Sequence, residues 1–212
     1  IERYGIQVGD RVAISMRNYP EWILTFMAVT SIGGVAVAMN SLWKPEEMSY
    51  GLTDSGAKLL VADEERIDRF NQIEEKLDIS IISVRANTEY AYNSLEALLG
   101  QATDTNMPAQ RPLPESDATI LYTSGSTGHP KGVVSCHVNI IHALLGWELE
   151  QHCAIALLDE PPPEPPDSPA TLLAVPLFHA TGSHAVYLAS YRHQRRIVSM
   201  YKWDVTEAAE II

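Results

Sequence analysis

The chain has 212 residues, 46% of them hydrophobic and 20% charged, with a formal net charge of −12. That apolar content is enough to bury a core and excludes general disorder. The negative balance argues against non-specific binding to nucleic acid or to an anionic membrane, since both depend on a basic face that releases counterions.

A polar lead-in ends at the turn Val8, Gly9, Asp10, and a short apolar strand is predicted over 11–16. Pro20, a residue favoured in a first helical turn, opens a helix to about Ile32. No charged side chain occurs over 22–43, a length that could cross a bilayer. Gly33 and Gly34 divide it, however. Trp22, Phe26 and Val29 have helical spacing, and 35–39 reads as a buried strand, so the stretch is predicted as helix, turn and strand rather than a membrane span. Pro45 with Glu46 and Glu47 begins a second helix, ended by Gly56, and a strand follows over 58–62. Asp63 can cap a third helix with Ile67, Phe70, Ile73 and Leu77 on one stripe, after which 79–84 returns as strand. A brief helix over 94–99 leads to a polar, proline-bearing linker at 101–117, which divides the chain into subregions of about 1–100 and 117–212.

Beyond the linker an apolar strand from Ile120 enters a glycine- and hydroxyl-rich loop, and Val138, Ile141, Leu144 and Leu145 predict a helix to about Glu150. The run 161–169 is dense in proline and reads as a stiff exposed loop. Residues 171–177 form an unbroken apolar run, predicted as a central strand buried on both faces. A helix to about His193, a strand over 196–201 and a last helix announced by Asp204 and Glu207 complete the chain. Strand and helix thus alternate over short connections, the α/β pattern of a mostly parallel sheet, or sheets, flanked by helices. Cys136 and Cys153 are too few for a disulfide framework and read as reduced thiols in a cytoplasmic protein, Cys136 as a small buried residue. The histidines lack the spacing of a zinc site.

The chemistry concentrates at 122–132, which reads Tyr-Thr-Ser-Gly-Ser-Thr-Gly-His-Pro-Lys-Gly. Thr123, Ser124, Ser126 and Thr127 offer hydroxyls, Gly125 and Gly128 bare their backbone amides, and Lys131 adds a positive charge. Polyanionic phosphate suits such a loop. The loop of the common nucleotide hydrolases would begin at Gly125, but Pro130 stands where that pattern needs its second glycine, and Gly132 where it needs a magnesium-binding hydroxyl.

The string resembles the signature of the adenylate-forming (AMP-binding) superfamily, which includes acyl- and aryl-CoA synthetases, luciferases and peptide adenylation domains. That signature has tyrosine or leucine, Thr-Ser-Gly, serine or threonine, Thr-Gly, a free position, and Pro-Lys-Gly. Residues 122–132 fill every specified position, with His129 at the free one. Pro-Leu-Phe-His-Ala-Thr-Gly at 176–182 is similar to a second motif, in which acyl- and aryl-CoA synthetases carry Phe-His where peptide adenylation domains typically carry Phe-Asp. The order of Gly9-Asp-Arg-Val-Ala, Asn18, Asn40, Pro45-Glu-Glu and Asp54-Ser-Gly-Ala-Lys also follows that of acyl-CoA ligases.

The resemblance implies that the chain is part of a large N-terminal domain, with the smaller C-terminal domain absent. It implies ATP-dependent activation of a carboxylic acid through an acyl-adenylate, followed by thioester formation with coenzyme A. Thr123, Ser124, Gly125, Ser126, Thr127, Gly128 and Lys131 would hold the phosphates, with Lys131 as the catalytic charge. His179 would border nucleotide and acyl group, supported by Phe178 and Gly182, and Thr123 would share a Mg2+ ion with an acidic residue elsewhere. A related enzyme with another acceptor, such as a carrier-protein thiol or oxygen, remains an alternative, as does a non-catalytic module that keeps the fold. The 212 residues alone are expected to be inactive.

Overall fold

The computed structural model describes residues 2–87, 90–102, 106–109, 111–123, 128–160, 162–163 and 169–212. Before the linker run β1 (Arg11–Ser15), α1 (Pro20–Ser31), β2 (Val35–Ala38), α2 (Pro45–Ser55), β3 (Leu59–Asp63), α3 (Glu64–Asn71), β4 (Ser80–Val84), β5 (Asn93–Ser94) and α4 (Leu95–Gly100). After it come β6 (Asp117–Thr123), β7 (Lys131–Cys136), α5 (His137–Ala156), β8 (Ala170–Leu173), a π-helix (Thr181–Leu188) continuing into α6 (Ala189–Arg192), β9 (Arg196–Ser199) and α7 (Val205–Ile211).

Seven strands form one sheet in the order β5-β4-β3-β1-β2-β6-β7. All neighbours pair parallel except β6 and β7. β6, which follows the linker, therefore extends the sheet begun before it. β8 and β9 make a separate parallel pair.

Alternation along the central strands divides the core between two faces. Val12 and Ile14 of β1 point to the side where Trp22, Phe26 and Val29 of α1 are buried. Ala13 of β1, with Val35 and Val37 of β2, points to the other, against Met48 and Leu52 of α2 and Ile67 of α3. Each large side chain so buried contributes roughly 1.5–3 kcal/mol. Trp22 and Phe26 stack at 5.2 Å, and Phe26 meets Tyr187 of the π-helix edge-on at 6.3 Å. The same cluster takes in Leu173, Leu177 and Phe178, so α1 ties the small sheet to the large one.

The helix ends follow local chemistry. Pro20 and Pro45 stand in the first turns of α1 and α2. Glu47 Oε2 accepts the Lys44 N–H at 2.9 Å, and Gly56, at φ 62°, closes α2 in the left-handed region. Asp63 caps α3 by accepting Arg66 N–H, and Asp204 caps α7 by accepting Thr206 and Glu207 N–H.

Four sequence expectations need correction. The glycine- and hydroxyl-rich string does not pass directly into a helix: β7 returns antiparallel to β6 first, and α5 runs to Ala156 rather than about Glu150. The β-branched Val133 and Val134 suit that ladder. The run 171–177 is not a central two-face-buried strand: β8 stops at Leu173, pairs only with β9, and within it only Leu173 is buried. Pro176 has no N–H for a ladder, and a side chain from elsewhere takes the hydrogen bonds around it. α3 ends at Asn71, yet Ile73 and Leu77, beyond its end, still pack with Phe70 against the second core cluster. Cys136 is half-buried rather than buried, in contact with Asn139 Oδ1, and Cys153 is exposed.

Candidate functional site

The chain leaves β2 toward β3 on one side of the sheet and leaves β6 toward β7 on the other. The carboxyl ends of β2 and β6 therefore flank a crevice, the kind of switch point at which open parallel sheets collect ligands. A cavity of about 590 Å³ opens there. Asn40, Leu42, Trp43 and Glu47 form one wall, and Tyr122, Thr123, Gly128 and Pro130 the other, with His179 at the rim.

The glycine- and hydroxyl-rich string joins β6 to β7 as a hairpin, and the register sets which side chains share a face. Thr123 is paired with Lys131, and Tyr122 with Gly132. Directly opposed residues on antiparallel strands share a face, so the Thr123 hydroxyl and the Lys131 side chain lie together at the mouth of the loop. Both residues are exposed, and among the described residues no ion pair includes Lys131. Thr123 Oγ1 approaches the Lys131 carbonyl at 3.4 Å.

Tyr122 takes the opposite face and is buried. Its hydroxyl donates to Asp54 Oδ2 at 2.7 Å, with the Gly51 carbonyl at 3.2 Å, and Trp43 packs on its ring at 5.2 Å. Burial first, then the Asp54 hydrogen bond, push the phenol far above its ordinary pKa of 10.0, so it stays a donor. A Cβ on Gly132 would lie 2.9 Å from Ile120 Cγ2 and 3.3 Å from the Tyr122 ring, which is why the paired position is bare.

His179 arrives from the other sheet. Its backbone N–H bonds to the Pro176 carbonyl at 3.2 Å, and its own carbonyl accepts both the N–H and the hydroxyl of Ser183, at 2.9 and 3.0 Å. His179 itself is exposed, with its ring 4.5 Å from that of buried Phe178. Gly182 is buried at the start of the π-helix, where a Cβ would stand 2.1 Å from Pro176 O. Behind the main cavity, Phe178 and His179 line a second recess with Leu121, Thr123 and Val175.

Thr123, Gly128 and His179 thus meet at one cavity, with Lys131 beside Thr123 and Phe178 one layer behind. Gly182 sits against backbone rather than on the cavity wall. Ser124, Gly125, Ser126 and Thr127 lie outside the described residues. Sequence reasoning missed the wall made by Leu42, Trp43 and Glu47. The available signal was their place just after β2, the strand beside β6.

Among the described residues no group of three or more His, Cys, Asp or Glu gathers as a metal site, and no helix is long and apolar enough to cross a membrane. Magnesium needs no such cluster, since it retains water and binds phosphate oxygens with few protein ligands. The exposed Thr123 hydroxyl is a hard oxygen of the right kind.

A sequence profile of AMP-binding enzymes matches residues 1–212. The chain belongs to that family. This AMP-binding chain is 30% identical over 210 residues to the long-chain-fatty-acid–CoA ligase FadD13 of Mycobacterium tuberculosis, covering 98% of the chain and 38% of that protein. It is 26% identical to 4-coumarate–CoA ligase 2 of Nicotiana tabacum, covering 100% and 37%. The inhibitor-bound N-terminal domain of FACL13 from Mycobacterium tuberculosis superposes with a TM-score of 0.79 at 26% identity, covering 100% of this chain and 49% of that one. The AMP-binding chain therefore spans well under half the length of these curated relatives, and its mostly parallel sheet flanked by helices is the fold of such N-terminal domains.

Proposed function

We propose that the chain forms the phosphate-binding side of an ATP-dependent carboxylic acid:CoA ligase. The observation that carries this reading is the pairing of Thr123 with Lys131 at the mouth of the hairpin, where Thr123 lines the crevice that His179 also lines. Family membership and the CoA ligase relatives support the same reaction class.

In that reaction a carboxylate oxygen attacks the α-phosphorus of ATP, and the bond to pyrophosphate breaks to leave an acyl-adenylate. The sulfur of coenzyme A then attacks the acyl carbon, and AMP departs. Negative charge grows on the leaving pyrophosphate, so fixed donors and an ammonium at that position favour the transition state over the ground state. Lys131 supplies the charge. Thr123 and Gly128, with Ser124, Gly125, Ser126 and Thr127 between them, supply hydroxyls and amides. Magnesium, when bound, adds neutralising charge on the phosphate oxygens, and the Thr123 hydroxyl would hold one of its positions. His179 orients the adenylate and acyl side, Phe178 forms the apolar backing, and Gly182 lets the segment approach Pro176. The two free cysteines suit a cytoplasmic setting.

Lys131→Ala in the full-length polypeptide tests the assignment. Carboxylate-dependent ATP–pyrophosphate exchange, with a long-chain fatty acid and 4-coumarate as probe acids, should fall by about a hundredfold. Thioester formation from preformed acyl-adenylate should remain near wild type. Equal loss in both half-reactions overturns the role given to Lys131. Exchange without thioester formation by the wild type would favour another acceptor, and no exchange with any acid would favour a non-catalytic module. The 212 residues alone are predicted to exchange far more slowly than the full-length polypeptide.

A further inference from the structure

The hairpin loop is flanked by Tyr122 on β6 and His129 just before β7, and one helix holds both. Tyr50 and Asp54 lie four residues apart on α2, hence on one face of it. Asp54 accepts the Tyr122 hydroxyl at 2.7 Å, while the ring of Tyr50 stacks on the imidazole of His129, centroids 4.8 Å apart and planes 24° apart. Gly51 lies between the two. A Cβ there would come within 2.5 Å of Trp43 Cζ3, so its absence lets the indole seat under Tyr122 and leaves the Gly51 carbonyl open to the same phenol.

We infer that α2 is a positioning element for the nucleotide loop, with Asp54 fastening its entry at Tyr122 and Tyr50 its exit at His129. The inference rests on the phosphate-binding reading of the loop. Its physical content is pre-organisation: a loop whose ends are already held loses less conformational freedom when a ligand arrives. Because His129 fills the free position of the phosphate string, the Tyr50 stack is a device of this chain's own residues.

The test is ATP binding with magnesium, by calorimetry, to the full-length polypeptide. Tyr50→Ala should weaken ATP binding about fivefold, the loss expected for one aromatic stack. Tyr50→Phe, which keeps the ring and removes only the hydroxyl, should bind as wild type does. His129→Ala should match Tyr50→Ala, and the double variant should be no weaker than either single, since both remove the same contact. Backbone amides of Thr123, Gly128, His129 and Lys131 should exchange hydrogen faster in Tyr50→Ala without ATP, with the rest of the sheet unchanged. Unchanged ATP affinity in Tyr50→Ala, Tyr50→Phe as impaired as Tyr50→Ala, or additive losses in the double variant would overturn the inference while leaving the phosphate-binding reading intact. A wild-type polypeptide that binds no ATP overturns both.

Discussion

The side-chain amide of Asn18 occupies the place of a neighbouring strand for Leu177: its Oδ1 accepts the Leu177 N–H at 3.0 Å while its Nδ2 donates to the Val175 carbonyl at 2.9 Å. The Asn18 carbonyl also accepts the Ser199 hydroxyl at 2.6 Å. Asn18, three residues past the end of β1, therefore anchors the segment that presents Phe178 and His179. It explains how 174–177 can run on past the end of β8 at Leu173 without stranding the Val175 carbonyl and the Leu177 N–H.

Asn18→Ala strands the Leu177 N–H and the Val175 carbonyl in a part-buried setting and should lower unfolding stability by about 2 kcal/mol, measured by urea denaturation. Asn18→Asp keeps the acceptor but turns a carboxylate oxygen toward the Val175 carbonyl. It should be at least as destabilising. Wild-type stability in both variants would show that the clamp is incidental.

Two glycines should respond in opposite directions to alanine. At Gly182 a Cβ meets the Pro176 carbonyl at 2.1 Å, so the backbone beneath His179 must move, at a cost of about 1–3 kcal/mol. At Gly146, inside α5, a Cβ meets nothing within 4 Å, and alanine should stabilise by roughly 0.5–1 kcal/mol. Paired melting curves decide it, and the same sign at both positions would refute the steric account.

Arg66 is 1% exposed and gathers Asp63, Ser41 and, at 2.8 Å, the Glu65 carboxylate. Its guanidinium pairs with Asp63 at 3.1 Å and donates twice to the Ser41 carbonyl, at 2.8 and 2.6 Å, while Arg69 adds a third bond to that carbonyl and one to Trp43 O. The connection after β2, one wall of the cavity, is thereby held from α3. Arg66→Met leaves the Asp63 carboxylate buried without its partner and should cost about 3–5 kcal/mol by denaturant titration. Arg66→Lys cannot reproduce the fork and should recover little of it.

Acid stability should show two windows. His137 and His184 are held below the ordinary 6.5 by burial, and the Nε2 of each lacks a hydrogen-bond partner among the described residues. As pH falls through about 6.5 the unfolded histidines take up protons while the folded ones stay neutral, so stability is full above that value and declines toward the folded values. The midpoint of urea unfolding should therefore be lower at pH 5.5 than at pH 7.5, and His137→Gln with His184→Gln should shrink the difference. Asp10 acts lower. The Lys58 hydrogen bond, at 2.7 Å, depresses its carboxyl below 3.8, so its contribution is present above that value and is lost as pH falls through the folded pKa. A pH slope unchanged by the two histidine substitutions would place the acid sensitivity elsewhere.

Where a side chain's fate depends on its neighbours in the chain, the sequence was a good guide. Pro20, Pro45, Gly56, Asp63 and Asp204 mark helix ends because capping is decided within four residues. The alternation of apolar strands with helices placed β1 to β4 and the class of sheet they build. Residues 171–177 misled for the complementary reason: an unbroken apolar run reports burial but not the number of partner strands, and here one partner and an asparagine amide do the covering. The strand β7 was hidden in the same way, because Val133 and Val134 fit helix or strand until β6 is present to pair with.

By itself the amino-acid sequence determined the elements of the first sheet and the chemical inventory of the site: hydroxyls, bare amides, one ammonium at 122–132 and a Phe-His pair at 178–179. Only the tertiary structure decided that strands on either side of the string pair as a hairpin, that Thr123 and Lys131 share one face of it while Tyr122 packs against α2, and that His179 reaches the same cavity from beyond another sheet. The reason is the range of the forces. Periodicity and capping act over a few residues, whereas the contacts of Asn18 with Leu177 and of Tyr122 with Asp54 join positions far apart in sequence, and packing alone brings them together.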